Sequence, residues 1–320
     1  MSMTEVLLEN NITFCKKDAQ RIFDKLSRFY NANDVSKWSD KVCIDINELL
    51  SKYMVYDYEI NPNSYMGIIL ACKSEVYGEL IIKIVPPMIE RFEKEISTLN
   101  LLPSKLTCRF YEIDYTKKAM VMERITPGTL VEFYDNKDLL AKLFKELSNN
   151  KTIPDDRIDE RIKDFSEVVK KDYLISKSVS HEFFEQVEVL YDEFLKSYDN
   201  ITINCKKYLL HGDVYKNNLL LSKNGIKLID PLGFIAPFVM ELVSICAYEC
   251  YYNTDKSNKK ILKDFCEFFK EYADETTYKE ALFCQLVKVF IPSIFEANDG
   301  GIRANKWLSI IKELYSEKLS

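Results

Sequence analysis

Apolar and polar positions alternate with two different rhythms in three successive regions of this chain. Up to about residue 50 the apolar residues recur at helical spacing, as at Ile22, Phe23, Leu26 and Phe29, with residues 45–50 as a short second piece. Between Met54 and Ile125 the rhythm shortens to strands, expected at 54–59, 65–72, 79–85, 108–115 and 119–124. Turn signals separate them at Asn61-Pro62-Asn63, Tyr77-Gly78 and Thr116-Lys117-Lys118. One helix, expected over 88–100, interrupts these strands with the stripe Met88, Ile89, Phe92, Ile96 and Leu99. Strands with a single packed helix predict an α+β lobe built on an antiparallel sheet.

After Pro127-Gly128 the spacing becomes helical almost throughout. Leu139, Leu140, Leu143, Phe144 and Leu147 mark one helix; Ile158, Ile162, Phe165 and Val169 a second; Phe183, Phe184, Val187, Leu190 and Phe194 a third. Further helices are expected near 238–251, 257–272, 277–291 and 303–317. The change falls in Glu123 to Gly128, which predicts a sheet lobe with its leading helices over 1–124 and a helical lobe over 125–320.

One short stretch breaks this second half. His211-Gly212-Asp213 is followed by Asn218, then by apolar Leu219–Leu221, a turn, apolar Ile226–Ile229, and Asp230-Pro231. An Asp that receives a hydroxyl proton, then an Asn and a second Asp that hold Mg²⁺, is the order used by ATP-dependent phosphotransferases. Asn224-Gly225 suits a two-residue hairpin turn. A turn centred there sets Leu219 opposite Asp230 and Asn218 opposite Pro231, so the two metal candidates emerge together at the open end. Two oxygen ligands suit Mg²⁺, which keeps water and phosphate for the rest of its shell.

Lys83 lies inside the apolar run Leu80–Val85, where a charge needs a partner. It is either an edge lysine reaching solvent or a phosphate-binding lysine paired with a Glu on the next helix. Taking Phe92 as zero, Glu95 falls about 60° away, at the margin of the apolar stripe, whereas Glu93 and Glu90 fall about 100° and 160° away. Glu95 is the expected partner. The loop Ile60–Ser64 offers Ser64 and backbone N–H groups to phosphate, or is simply a hairpin turn; no G-x-G-x-x-G exists in a chain with eight glycines.

Composition narrows the classes. A net charge of −6 argues against a nucleic-acid partner and is compatible with a cationic substrate. Nine scattered cysteines with no C-x-x-C suggest reduced thiols and a cytoplasmic setting. With only His181 and His211, a zinc site is not expected. The most apolar run, Phe234 to Tyr248, contains Pro237 and Glu241 and is too short to span a bilayer, so no membrane partner is expected either.

Taken in order, these features resemble the aminoglycoside phosphotransferase family, over about residues 50 to 250. Leu210-His211-Gly212-Asp213 and Leu228-Ile229-Asp230-Pro231 carry the resemblance most strongly, and Val121 to Gly128 looks like the family's hinge. Ile229-Asp230-Pro231-Leu232-Gly233 is most similar to streptomycin and hydroxyurea phosphotransferases, from which Leu232 and Ala236 depart. The resemblance implies a bilobal protein-kinase-like fold. It implies Mg²⁺ and ATP or GTP, an alcohol acceptor such as an aminoglycoside, and a monomer or dimer. A choline-like, sugar or amino-alcohol metabolite is the alternative acceptor, and a non-catalytic kinase-like binding module the alternative class. Carried over by motif, Asp213 is the catalytic base or orienting group, and Asn218 and Asp230 are the metal ligands. Lys83 binds phosphates, Glu95 orients it, and the backbone from Glu123 to Ile125 holds the base. Glu241 is either the family's supporting acid or an exposed helix charge.

Overall fold

The computed structural model describes residues 12–62, 64, 67–150, 181–203, 205–295 and 301–318. The expected helix through Ile158, Ile162, Phe165 and Val169 lies outside these residues, as does part of the loop at Asn63. Two compact units are present. One comprises the chain up to Ile96 with Thr107–Gly128; the other comprises Ser97–Leu106 and the chain from Thr129 onward.

In the first unit, helices α1 (Gln20–Phe29) and α2 (Ala32–Lys52) precede the sheet. Residues 45–50 are not a separate piece but the end of the 21-residue α2. Val35, Trp38, Val42, Ile46 and Leu49 give it one continuous buried stripe, and the Asn31 side chain caps its start by accepting from Asn33 N–H. The sheet contains β1 (Val55–Ile60), β2 (Ile68–Ser74), β3 (Gly78–Ile84), β4 (Phe110–Asp114) and β5 (Ala119–Glu123). They are antiparallel in the order β1-β2-β3-β5-β4. β3 is therefore central, flanked by β2 and β5. Helix α3 (Phe92–Leu101) starts four residues later than its apolar stripe suggested. Pro86-Pro87 turns the chain first, with Ile89 N–H bonded to the Pro86 carbonyl.

The second unit holds β6 (Pro127–Leu130), which crosses the division between the units, then α4 (Lys137–Ser148), α5 (His181–Thr202) and β7 (Lys207–Leu210). The hairpin β8 (Leu219–Ser222) and β9 (Gly225–Leu228) follows, then β10 (Phe234–Pro237). Helices α6 (Val239–Tyr252), α7 (Asn258–Phe268), α8 (Glu275–Phe295) and α9 (Ile302–Tyr315) complete it. The strands β6, β7 and β10 have four residues each, too few for alternation to stand out from helical spacing. β7 and β10 pair antiparallel, Leu210 opposite Phe234 and Leu209 opposite Ile235. The core is aromatic: Phe133 stacks on Phe265 at 3.8 Å, and Phe144 meets Phe269 edge-on at 4.8 Å. Helix α8 is buried on most sides, every residue from Ala281 to Val287 being inside. Among the described residues no helix is long and apolar enough to cross a membrane.

Candidate active site

Lys83 belongs to the central strand β3, facing Ile69 on one side and Met120 on the other. An edge position is thereby excluded. Lys83 is buried, at 6% exposure, and its Nζ lies 2.6 and 2.7 Å from the two carboxylate oxygens of Glu95, itself 3% exposed. Glu90 and Glu93 are exposed. A buried ammonium tied to both oxygens of one carboxylate leaves little freedom to either group. Nearby in the chain, the Ser64 hydroxyl donates to the Gly67 carbonyl at 2.5 Å within its own turn. At the end of β5, the Glu123 carboxylate accepts from Arg109 N–H at 3.1 Å, and Ile125 is half-buried.

The hairpin of the second unit has a different register from the one expected. Leu219 pairs with Leu228 and Ser222 with Gly225, so the two turn residues are Lys223 and Asn224. The Ser222 hydroxyl causes this shift: it donates to the Gly225 carbonyl and accepts from Asn224 N–H, closing the turn one residue early. A shift of two residues keeps every side chain on its face. Asp230 consequently lies beyond the ladder, with φ of +56°. It remains beside Asn218, because Ile229 N–H donates to the Asn218 carbonyl at 3.1 Å.

Asn218 is buried and gives its amide N–H groups to Asp213, at 3.0 Å to both the backbone carbonyl and Oδ2. A carboxylate only accepts, so the amide nitrogen must face it and the amide oxygen points the other way. This leaves a carbonyl oxygen and the Asp230 carboxylate as hard donors on adjacent pieces of chain. No trio of His, Cys, Asp or Glu among the described residues forms a metal cluster. A pair of oxygen donors nevertheless fits Mg²⁺ in a nucleotide site, where phosphate and water complete the shell.

The loop carrying Asp213 is held from behind. Glu241, 1% exposed on the first turn of α6, accepts the backbone N–H of His211 and of Gly212, each at 2.8 Å. It is a buried acid and not an exposed helix charge. Burial pushes its carboxyl up to about 7, against the two N–H bonds and Lys288, which favour the ionised form. The fully buried His211 ring donates from Nε2 to the Ile229 carbonyl at 2.9 Å, leaving Nδ1 to accept Asp213 N–H at 3.3 Å. The carbonyl of His211 accepts from Leu232 and Gly233 N–H. Gly212 has φ of +80°, and a Cβ there would lie 2.4 Å from the Phe234 ring. That contact explains glycine where protein kinases carry arginine.

Beside Asp213 stands an aromatic wall that sequence reasoning missed. Tyr215 stacks on Tyr248 at 4.0 Å, Tyr252 lies parallel at 6.2 Å, and Trp307 meets Tyr248 edge-on at 5.6 Å. Burial, then Asp213, pushes the Tyr215 phenol up to about 12, and the same two causes push the Tyr248 phenol up. Both rings stay neutral. Lys216 Nζ lies over the Tyr252 ring at 5.3 Å. In a chain with 20 Tyr, nothing in the spacing marked these as neighbours.

No family profile matches the chain, and no curated protein matches it in sequence. Solved structures do match in fold. Choline kinase LicA from Streptococcus pneumoniae superposes with a TM-score of 0.64 at 16% identity, covering 85% of this chain and 98% of that one. The fold is protein-kinase-like. A choline/ethanolamine kinase family protein from Mesorhizobium loti gives 0.62 at 12% identity, covering 85% of this chain and 93% of that one. A thermostable mutant of aminoglycoside phosphotransferase APH(4)-Ia, in a ternary complex with ADP and hygromycin B, gives 0.61 at 10% identity, covering 83% and 97%. The sheet unit and the helical unit of this chain are the two lobes of that fold.

Proposed function

We propose that this protein is an ATP- or GTP-dependent O-phosphotransferase acting on an alcohol group of a small, cationic molecule. The observation that carries the reading is the Asp213–Asn218 pairing on a loop whose backbone is fixed by Glu241, with Asp230 alongside. In this reading the acceptor oxygen attacks the terminal phosphorus, its proton passes to Asp213, and the nucleoside diphosphate leaves. The transition state is loose, so the protein's task is alignment and charge. Asp213 aligns the hydroxyl, and Lys83, fixed by Glu95, carries positive charge for the nucleotide phosphates. Ser64 and the backbone from Glu123 to Ile125 are proposed contacts for phosphate and base. Asn218 and Asp230 would hold Mg²⁺, which when bound neutralises charge on the phosphates.

The resemblance of Ile229 to Gly233 to streptomycin phosphotransferases makes an aminoglycoside the first acceptor class. A second acceptor class is supported by the tyrosine wall. Neutral aromatic faces attract alkylated ammonium groups, contributing about 0.5 to 2 kcal/mol each. That suits a compact choline-like amino alcohol, and LicA and the Mesorhizobium loti protein are described as kinases of such substrates. The test is a coupled assay of nucleoside diphosphate release, with ATP and GTP in parallel, across aminoglycosides, choline, ethanolamine and sugar alcohols. Turnover with streptomycin alone supports the first class, and turnover with choline or ethanolamine alone the second. Absence of turnover with every acceptor and both nucleotides overturns the phosphotransferase reading.

A further inference from the structure

We propose that Lys288 is a positioning residue which, with Glu241, clamps residue Gly212 through its N–H and its carbonyl and so fixes Asp213 for transfer. Gly212 N–H donates to Glu241 at 2.8 Å, and the Gly212 carbonyl faces the Lys288 ammonium at 3.5 Å. The second distance is long for a hydrogen bond, so Lys288 acts there mainly as a charge. The ammonium also lies 4.2 Å over the Phe234 ring, the same ring that occupies the space of a Gly212 side chain. Gly212 is therefore held at its N–H by a helix α6 carboxylate, at its carbonyl by a helix α8 ammonium, and on its flank by a β10 aromatic.

The two charges depend on each other. Glu241 accepts two N–H groups at once, one on each oxygen. Only the ionised carboxylate does this without turning an O–H toward a donor. Burial disfavours that form and the Asp213 carboxylate repels it, while Lys288 is the side chain that favours it. The imidazole of His211, also facing this region, is committed to the Ile229 carbonyl and to Asp213 N–H. Removing Lys288 should make Glu241 harder to ionise, so that one loop bond is lost near neutral pH. The effect reaches the reaction through Asp213 alone, without contact to substrate.

The kinetic consequence rests on the phosphotransferase reading, so the experiment has an arm that does not. The chain has only two histidines, His181 and His211, so ¹⁵N-histidine NMR resolves the His211 ring once His181→Gln identifies the other signal. The wild type, Lys288→Met and Lys288→Arg are titrated from pH 5 to 9. In the wild type we expect the His211 signal to inflect near pH 7 as Glu241 protonates. In Lys288→Met that inflection should rise by about one pH unit, because an opposite charge has been removed; Lys288→Arg should restore it. Equal inflections in wild type and Lys288→Met, or no inflection in either, overturn the clamp. With an acceptor in hand, Lys288→Met should lower kcat by up to about a hundredfold, as small misplacements do, with the nucleotide KM unchanged and the acidic limb of the kcat profile moved upward. A fall in kcat with an unmoved limb also overturns it. Absence of any turnover in the wild type counts against the phosphotransferase reading and leaves the titration to decide the clamp.

Discussion

The two units bury their acids in opposite ways. In the sheet unit Glu95 is satisfied by another side chain, the Lys83 ammonium on the central strand. In the helical unit Glu241 is satisfied by backbone N–H groups of the loop it supports. The first arrangement fixes a cation, and the second fixes a peptide. In the proposed reaction such a cation would attract phosphate, and such a fixed loop would present Asp213 in one place. The contrast predicts that damage in the sheet unit shows first in nucleotide use, and damage in the helical unit first in the transfer step.

Asp213→Ala gives the largest separation. We expect kcat to fall by about a hundred- to ten-thousand-fold, with ATP affinity within a few-fold of wild type by calorimetry. Equal transfer by both proteins would remove Asp213 from the reaction. Asp230→Asn and, more mildly, Asn218→Ala should raise the Mg²⁺ concentration required for turnover; normal turnover at ordinary Mg²⁺ would remove them from the metal site.

Lys83→Met should lower kcat/KM for ATP by about a hundredfold, the usual loss of one preorganised donor. It should also destabilise the fold by about 3–5 kcal/mol, because Glu95 is left buried and charged. Adding Glu95→Gln should recover part of that stability and none of the activity. Denaturant unfolding of the single and double variants checks this. Unchanged stability in Lys83→Met would mean the pair is looser than its distances.

Gly212→Ala tests the loop from its other side. A left-handed φ costs a non-glycine residue about 1–2 kcal/mol, and overpacking against Phe234 adds about 1–3 kcal/mol. Phe234→Leu in the same chain should relieve the second part. Unfolding of Gly212→Ala at the wild-type midpoint would break the argument.

The smallest effect is a pH dependence. The Glu241 carboxyl is raised to about 7 in the fold, above the ordinary 4.5. A raised folded value means the unfolded chain loses its proton first. The Glu241 contribution to stability should therefore be fully present below about pH 4.5, be lost as pH rises toward 7, and stay flat above it. The window corresponds to about 3 kcal/mol at 1.36 kcal/mol per pH unit. Measured against Glu241→Gln, which has no such proton, the wild type should lose that margin across the window. Parallel stability curves for the two proteins would show that Glu241 does not titrate there.

Much of this protein was legible from local pattern. The five strands, their interrupting helix and the helical second half followed from apolar period alone, because each element is long enough to repeat its rhythm. Glu95 emerged as the partner of Lys83 for the same reason: helical geometry leaves one of three glutamates near the apolar face. The gathering of Asp213, Asn218 and Asp230 in one place was legible because they are close in the chain. What tertiary structure decided lies where partners are distant or elements are short. The hairpin register turned on the Ser222 hydroxyl, which offered the backbone a bond that propensity does not count. The extent of α2 depended on what its stripe packs against. The burial of Glu241, the need for glycine at 212, the approach of Lys288 and the stacking of Tyr215 on Tyr248 all join residues more than twenty positions apart. No periodicity encodes such meetings; only the folded path of the chain brings those charges and rings together.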